Sequence, residues 1–390
     1  MSDPDRGAPP PAADTLAVHA GAMRDDPTGA IVTPIFQSST FAYPAGDRPL
    51  VYTRYGNNPG QEAVQRKMAA LEGTEAALVL ASGMAAIATG ILSVCGSGDH
   101  VVAAPSLYGG THVLLDHELP RLGIQVTYAE SVDADAWERA TRPETRLWLW
   151  EAISNPLLRV ADGPALAARA RKRGIATLVD ATFATPIHQR PASFGVDFVM
   201  HSATKYLAGH SDLIAGTLSG STERIRRSTE MLRVLGGSVD PHAAFLLERG
   251  LKTLALRVAR HEENGRAVAG FLAGHPRVER VWHPTLPDHP DHEVAARVLG
   301  GAGGGVVTFV PRATAAEAEA LAGRFRWIRL APSLGGVESL VSMPAVTSHR
   351  SLPADERRAR GIPDAMIRLA LGIEAPADLL ADLDHALAAL

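Results

Sequence analysis

A lysine in a short polar segment is the residue best suited to covalent chemistry in this sequence. Lys205 lies in the run His-Ser-Ala-Thr-Lys-Tyr that begins at His201 and follows the predicted strand Asp197–Met200. Ligands of open parallel sheets bind at the carboxyl ends of the strands. A primary amine there could bond covalently to an aldehyde, while the hydroxyls of Ser202 and Thr204 bind a phosphate. The alternative is a surface lysine in a polar loop, and this segment alone does not separate the two.

Two more segments could belong to the same site. Asp180 ends the apolar run Ile175–Val179, and a carboxylate at a strand end can hold a protonated pyridine nitrogen, although a helix cap is its commoner use. Ser82 and Gly83 follow a second apolar strand, and we expect a helix to begin at about Met84. The free N–H groups of a helix start bind anions. Together with the lysine, these features meet the requirements of pyridoxal 5′-phosphate (PLP), which needs an amine for its aldehyde, an acid for its ring nitrogen and an anion site for its phosphate.

The elements around these residues alternate between short apolar strands and helices. We predict strands at 76–81, 100–104, 124–128, 146–150, 176–179 and 197–200, with helices at 61–71, 83–94 and 164–173. This alternation is typical of βαβ units and predicts an α/β fold with a large domain built on a mostly parallel sheet.

The C-terminal third has a different pattern. A helical pattern without proline runs from 243 to 272, and we predict one long helix there, at or near a domain boundary. Strands at 278–282, 305–310 and 327–330 and helices at 314–325 and 377–390 then predict a smaller α+β domain. The predicted units are an extended N-terminal arm (1–50, with 1–14 disordered), a PLP-binding large domain (51–256) and a C-terminal small domain (257–390).

Composition excludes several classes of protein. Only four of the 38 Lys and Arg residues are lysines, and arginine cannot replace them because it stays protonated at any working pH. The net charge of −4 argues against a nucleic-acid partner. The single cysteine, Cys95, permits no internal disulfide, so we expect a reducing compartment and a cytoplasmic protein. We expect no membrane partner, because no apolar run is long enough to span a bilayer and the first 14 residues lack a signal-peptide pattern.

The sequence resembles the cysteine/methionine-metabolism, or trans-sulfuration, family of PLP enzymes from about Thr15 to its C-terminus. The matching motifs, in chain order, are Gly29–Phe41, Tyr52–Asn57, Ser82–Met84, Leu107–Gly110, Ser154–Pro156, Val179–Asp180, Ser202–Tyr206, Gly209–Asp212, Arg249–Thr253, Ser333–Gly336 and Ile367–Leu369. The resemblance implies a fold type I, PLP-dependent transferase-like architecture. It also implies a homo-oligomer, a dimer of dimers, whose active sites are shared between subunits.

The resemblance also implies roles for individual residues. Lys205 would bond to PLP and move protons between substrate carbons, Asp180 would pair with the ring nitrogen, and Tyr108 would stack on the ring and take part in proton transfer. Tyr52 and Arg54 would reach the phosphate of a neighbouring subunit. The remaining cofactor contacts would be Gly83, Met84, Asn155, Thr182, Ser202 and Thr204, and the substrate contacts Ser333 and Arg368.

Two departures from the family pattern bear on the substrate. Enzymes of this family that act on cystathionine commonly have an arginine five residues after the stacking tyrosine and an acid directly before the Ser-Leu-Gly-Gly turn. Here these positions hold Val113 and Pro332. Both changes remove polar contacts suited to a second amino-acid head group, which favours a smaller or less polar γ-substituent.

The predicted activity is γ-elimination from a sulfur amino acid by a carbon–sulfur lyase of the cystathionine/methionine γ-lyase type, giving a 2-oxo acid, ammonia and a thiol. The close alternative is γ-replacement, as in a cystathionine γ-synthase or an O-acylhomoserine sulfhydrylase. An alternative from another class is a catalytically silent, PLP-binding regulatory protein. The joint presence of Lys205, Asp180, Tyr108 and Arg368 argues against this last alternative.

Three nearby histidines suggest a metal site, but their spacing does not support one. His283, His289 and His292 lie in a proline-broken segment, and neither Asp288 nor Asp291 completes a ligand set at a customary spacing. We therefore expect no metal site.

Overall fold

The computed structural model describes residues 11–22, 29–43, 50–130, 132–350 and 353–390. Within these ranges the chain forms two sheets, each with its own hydrophobic core. The helices are α1 Ala13–His19, α2 Pro59–Glu72, α3 Gly83–Leu92, α4 Gly109–Val113, α5 Leu119–Arg121, α6 Ala134–Ala140, α7 Gly163–Lys172, α8 Thr185–His188, α9 Thr222–Leu235, α10 Pro241–Leu251, α11 Leu254–Ala273, α12 His292–Val298, α13 Ala315–Ala322, α14 Ala354–Ala359 and α15 Pro376–Leu387.

The larger sheet contains seven strands in the described ranges, ordered β1-β7-β6-β5-β4-β2-β3. They are β1 Ala76–Leu80, β2 His100–Ala103, β3 Gln125–Tyr128, β4 Thr145–Glu151, β5 Ala176–Asp180, β6 Phe198–Ser202 and β7 Gly216–Gly220. All the pairs from β3 to β6 are parallel, while β7 runs antiparallel to β1 and β6. The predicted α/β class with a mostly parallel sheet is confirmed.

The smaller sheet has the order β10-β11-β12-β9-β8 in the described C-terminal region. Its strands are β8 Val278–Trp282, β9 Val306–Pro311, β10 Arg329–Leu330, β11 Leu340–Ser342 and β12 Ile367–Ala370. Apart from the parallel β10–β11 pair, its strands are antiparallel. This mixture of antiparallel strands and flanking helices matches the α+β character expected for the C-terminal third.

The single helix predicted over 243–272 is wrong, because α10 ends at Leu251 and α11 begins at Leu254. The side chain of Arg257 forms hydrogen bonds at the break between the two helices. Its guanidinium donates to the carbonyl of Gly250 at 2.8 Å and to that of Tyr206 at 2.7 Å. The helix end is thus satisfied by a side chain and needs no proline. The proposed boundary at 256/257 falls inside α11, which contributes Leu254 to the larger core and Leu272 to the smaller.

The N-terminal arm is also more structured than expected. Residues 1–10 lie outside the described ranges, but Ala13–His19 form a helix where an extended arm was predicted. Lys67 of α2, fully buried, donates from Nζ to the carbonyls of Ala17 at 2.8 Å and Val18 at 3.1 Å. The arm is therefore held to the large domain by a charged side chain.

Local capping places the helices that border the site. Asn58 caps α2 in a capping box with Gln61, with Pro59 in the first turn. Ser82 caps α3 by accepting from the N–H of Ala85 at 3.0 Å. No helix in the described ranges is both long and apolar enough to cross a membrane.

Candidate active site

A pocket of about 610 Å³ opens where the carboxyl ends of β1, β4, β5 and β6 meet. Its walls come from segments far apart in the sequence, because parallel strands bring their carboxyl ends to one edge of the sheet. The lining residues predicted from the sequence are Gly83, Met84, Tyr108, Asn155, Asp180, Thr182, Ser202, Thr204, Lys205, Ser333 and Arg368. Those that the sequence reasoning did not assign to the site include Glu151, Ile214, Thr347, Ser348 and Arg350.

Lys205 lies in the turn that follows β6, and its side chain enters the pocket. Its backbone N–H donates to the carbonyl of Ser202 at 3.1 Å, and Nζ donates to Oγ of Ser333 at 2.8 Å. Burial lowers the pKa of the Lys205 amine below its usual value, and the nearby positive charge of Arg368 lowers it further. A larger neutral fraction leaves more of the amine available to act as a nucleophile or to accept a proton.

Two acids lie side by side at the ends of β4 and β5. Glu151 and Asp180 are opposite each other in the parallel register. Asp180 accepts from the N–H and the hydroxyl of Thr182, at 2.9 and 2.5 Å, and burial nevertheless raises its pKa. Glu151 accepts from the N–H of Tyr108 at 2.6 Å. Burial raises the pKa of Glu151 well above the usual range, and the charge of Asp180 adds to this rise.

The sequence reasoning missed Glu151 as a site residue, although a signal was present. Glu151 ends the apolar run 146–150 in the same way that Asp180 ends 175–179. Its bond to the Tyr108 N–H also fixes the start of α4, from which the Tyr108 ring extends with 52% exposure.

The start of α3 packs closely against β6 and β7. A Cβ on Gly83 would lie 2.9 Å from Cβ of Ser202, and one on Gly216 would lie 2.1 Å from the carbonyl oxygen of Ser82. Only glycine permits these approaches, which bring the Ser202 hydroxyl to the N-terminus of α3. The first N–H groups of a helix have no acceptor within it, so this corner suits a phosphate. The hydroxyl of Thr204, by contrast, already bonds to the backbone of Ala215.

Arg368 lies on β12 and reaches the pocket from the smaller sheet. Nη1 donates to Oδ1 of Asn155 at 3.0 Å, and Nη2 to the carbonyl of Ser333 at 2.8 Å. Nε is buried and has no hydrogen-bond partner among the described residues. Burial lowers the pKa of Arg368 to about 10. A buried guanidinium with no carboxylate partner among the described residues calls for an anionic ligand such as a carboxylate.

Tyr52 and Arg54 do not line this pocket. Arg54 donates from Nη1 to the carbonyl of Arg233 at 2.6 Å and lies over the rings of Tyr52 and Tyr55. Their predicted role, at the site of a neighbouring subunit, stays a prediction.

Of the two departures from the family pattern, Pro332 lines the pocket, whereas Val113 lies outside its lining and is 52% exposed. The histidine-rich segment forms local hydrogen bonds. His283 bonds to the Gly304 carbonyl, and His292 to that of Pro284. No group of three or more metal-ligating side chains occurs in the described ranges.

The sequence matches the family described as Cys/Met metabolism PLP-dependent enzyme over residues 14–388. The chain belongs to this family. It is therefore an enzyme that uses PLP, and its chemistry is that of trans-sulfuration. The pocket offers the groups that this cofactor needs: an amine, a strand-end acid and a corner suited to an anion.

Its relatives within the Cys/Met metabolism family catalyse more than one reaction. The chain is 44% identical over 377 residues to a cystathionine γ-synthase of Mycobacterium tuberculosis (strain ATCC 25618 / H37Rv), covering 96% of each chain. It is 40% identical over 379 residues to a cystathionine β-lyase of Coxiella burnetii (strain RSA 493 / Nine Mile phase I), covering 96% of this chain and 97% of the relative. The crystal structure of a cystathionine γ-lyase from Lactobacillus plantarum complexed with L-serine superposes with a TM-score of 0.92 at 36% identity, covering 97% and 98% of the two chains.

Proposed function

We propose that the protein is a carbon–sulfur lyase that performs γ-elimination on a sulfur amino acid, releasing a 2-oxo acid, ammonia and a thiol. The observation that carries this proposal is the Lys205 amine, which is buried beside Arg368 and Ser333 with a lowered pKa. γ-Elimination needs protons to be taken from two successive substrate carbons. A single amine with an accessible neutral form suits both transfers.

In this proposal each side chain has a defined task. Lys205 would hold PLP covalently at rest and, once the substrate amine has displaced it from the cofactor, its free amine would take the protons from Cα and Cβ of the substrate. Arg368 would bind the substrate carboxylate through its guanidinium, while Ser333 bonds to the Lys205 amine and orients it. When bound, PLP supplies an electron sink for the charge left on carbon.

The cofactor contacts follow from the same arrangement. Asp180, held by Thr182, would pair with the ring nitrogen, and Tyr108 would stack on the ring. Asn155, which accepts from Arg368, would lie near the phenolic oxygen of the ring. The N–H groups of Gly83 and Met84 and the hydroxyl of Ser202, at the start of α3, would hold the phosphate. Thr204 acts mainly through its bonds to the Ala215 backbone, which shape the same turn.

A second candidate is γ-replacement, which the 44% identity to a γ-synthase favours. The experiment that separates the two incubates the purified holoenzyme with L-cystathionine, with L-methionine, and with an O-acyl-L-homoserine plus L-cysteine. The assay of 2-oxobutanoate measures elimination, and the assay of thioether product measures replacement. We expect 2-oxobutanoate from the sulfur amino acids. Thioether formation without 2-oxobutanoate would establish replacement and reject the lyase.

We propose further that the enzyme is a cytoplasmic dimer of dimers. Its single cysteine, Cys95, is buried, and burial raises the pKa of its thiol to about 12, so it is poorly suited to oxidation or pairing. Tyr52 and Arg54 lie outside the chain's own pocket, which suits a role at a partner's site.

A further inference from the structure

One pocket segment has no role in the proposed chemistry. Residues 343–350 follow β11, and Thr347, Ser348 and Arg350 line the pocket. Successive turns hold the segment in place, because the Thr347 hydroxyl donates to the Met343 carbonyl at 2.7 Å and the His349 N–H to that of Pro344 at 2.9 Å. Arg350 is thus carried at the pocket by a hydrogen-bonded backbone.

The charges in the pocket single out Arg350. Five charged residues line the pocket, and four of them have assigned partners or tasks: Glu151, Asp180, Lys205 and Arg368. The exposed guanidinium of Arg350, by contrast, forms no ion pair and no side-chain hydrogen bond with any residue in the described ranges.

Neighbouring arginines in the next helix behave differently. Arg358 of α14 pairs with Asp355 at 2.6 Å and with Asp364 at 2.9 Å, and Arg360, directly after the helix, pairs with Glu356 at 2.6 Å. Arginines in this part of the chain therefore have acidic partners close by where they serve the fold. A guanidinium that lines the pocket without such a partner is available to a ligand.

We propose that Arg350 binds a terminal carboxylate on the γ-substituent of the substrate. This specificity rests on the proposed function, since it concerns the group that leaves from Cγ. Arg368 would bind the α-carboxylate, and Arg350 a second carboxylate farther out, because the planar guanidinium fork matches a carboxylate in two parallel hydrogen bonds. Arg350 then supplies the positive charge that is missing at Val113, where family members that act on cystathionine commonly have an arginine, and the enzyme prefers substrates with two carboxylates.

A terminal carboxylate has two chemical sources, a second amino-acid head group or a dicarboxylic ester. The test compares four substrates of the holoenzyme: L-cystathionine and O-succinyl-L-homoserine, which carry the group, and L-methionine and O-acetyl-L-homoserine, which lack it. Steady-state kcat and KM are measured for wild type, Arg350→Gln and Arg350→Lys. Arg312→Gln is the matched control, because Arg312 is an exposed arginine outside the pocket.

We expect Arg350→Gln to lower kcat/KM about tenfold for at least one of the two terminal-carboxylate substrates, mainly through KM, as is usual for a partly exposed charge-assisted contact. Values for L-methionine and O-acetyl-L-homoserine should change less than about twofold, and Arg350→Lys should recover part of the loss. Added salt should raise KM for the affected substrate in wild type but not in Arg350→Gln. The substrate affected identifies the source of the carboxylate.

The other outcomes reject the proposal in distinguishable ways. Unchanged kcat/KM for all four substrates would mean that Arg350 makes no such contact. A uniform loss across all four would mean that it only shapes the segment. A higher wild-type kcat/KM for the substrates that lack a terminal carboxylate would also overturn the proposal for Arg350. Absence of turnover with every substrate would instead reject the proposed function, and this inference with it.

Discussion

The Lys205 amine combines two properties that oppose each other at most positions. It is buried enough for its pKa to fall, yet its side chain still reaches a pocket open to ligands. Of the other three lysines, Lys67 is committed to the carbonyls of Ala17 and Val18, Lys252 lies 3.9 Å from Glu248, and Lys172 is exposed on α7. Only Lys205 is therefore placed for covalent chemistry.

This difference predicts where the cofactor can be trapped. Borohydride reduction of the holoenzyme should attach PLP to one peptide, the one containing Lys205, as read by mass spectrometry. Lys205→Ala should lose turnover while still holding PLP without a covalent bond, because the phosphate corner and Asp180 remain. Lys172→Ala, an exposed control, should behave as wild type. Label on any other lysine, or normal turnover in Lys205→Ala, would contradict the assignment.

At the scale of elements, strand ends were the most predictable part of the site. Asp180 ends one apolar run and Ser202 lies two residues beyond another, and the lengths of both runs indicate buried strands. The two residues are therefore expected at one edge of the sheet from parallel pairing alone. The break between α10 and α11 was not predictable, because Arg257 makes it through tertiary contacts. Helix α1 was not predictable either, because its carbonyl at Ala17 accepts a hydrogen bond from Lys67, fifty residues away.

The close approach of α3 to β6 gives an element-scale prediction. Gly83→Ala places a Cβ 2.9 Å from that of Ser202, so the helix start must move away from the strand end. We expect PLP affinity to fall about tenfold or more, since anion binding at a helix N-terminus depends on the position of its N–H groups. Titration of the apoenzyme with PLP, followed by absorbance, measures this change.

The control for this substitution is Gly270→Ala. Gly270 lies in α11, and a Cβ there meets no atom within 4 Å. This variant should bind PLP as wild type does and gain slightly in stability, because alanine is the better helix former. Equal PLP affinity in Gly83→Ala and wild type would show that the corner does not hold the phosphate.

At the scale of the molecule, the pocket depends on both sheets. Arg368 and Ser333 come from the C-terminal region and meet Asn155 and Lys205 of the larger sheet. Sequence motifs gave the identity of these residues, because each lies in a run that resembles the family. The segment carrying Thr347 and Arg350 has no periodic pattern and no recognised motif, so only the folded chain brings it to the pocket.

The positions of Tyr52 and Arg54 bear on whether a second subunit also contributes to the pocket. They lie in a turn bonded to the arm through Thr53 and Ser38, at 2.7 Å, and next to the end of α9. Val234 at that end is 81% exposed, which suits a surface covered by another subunit. If Arg54 serves the partner's site, then each site takes Lys205 from one subunit and Arg54 from the other.

Hybrid oligomers test this arrangement. Arg54→Ala and Lys205→Ala should each have little activity alone. Co-expressed chains should recover about a quarter of wild-type sites, because random pairing makes half of the dimers hybrid and each hybrid has one intact site. Co-expression of Lys205→Ala chains with Asp180→Ala chains is the control. Lys205 and Asp180 lie in the pocket of the same chain, so every site in these oligomers lacks one of the two residues. Light scattering of the wild type should give the mass of a tetramer. Recovery no greater than in the control would mean that Arg54 does not act across a subunit interface.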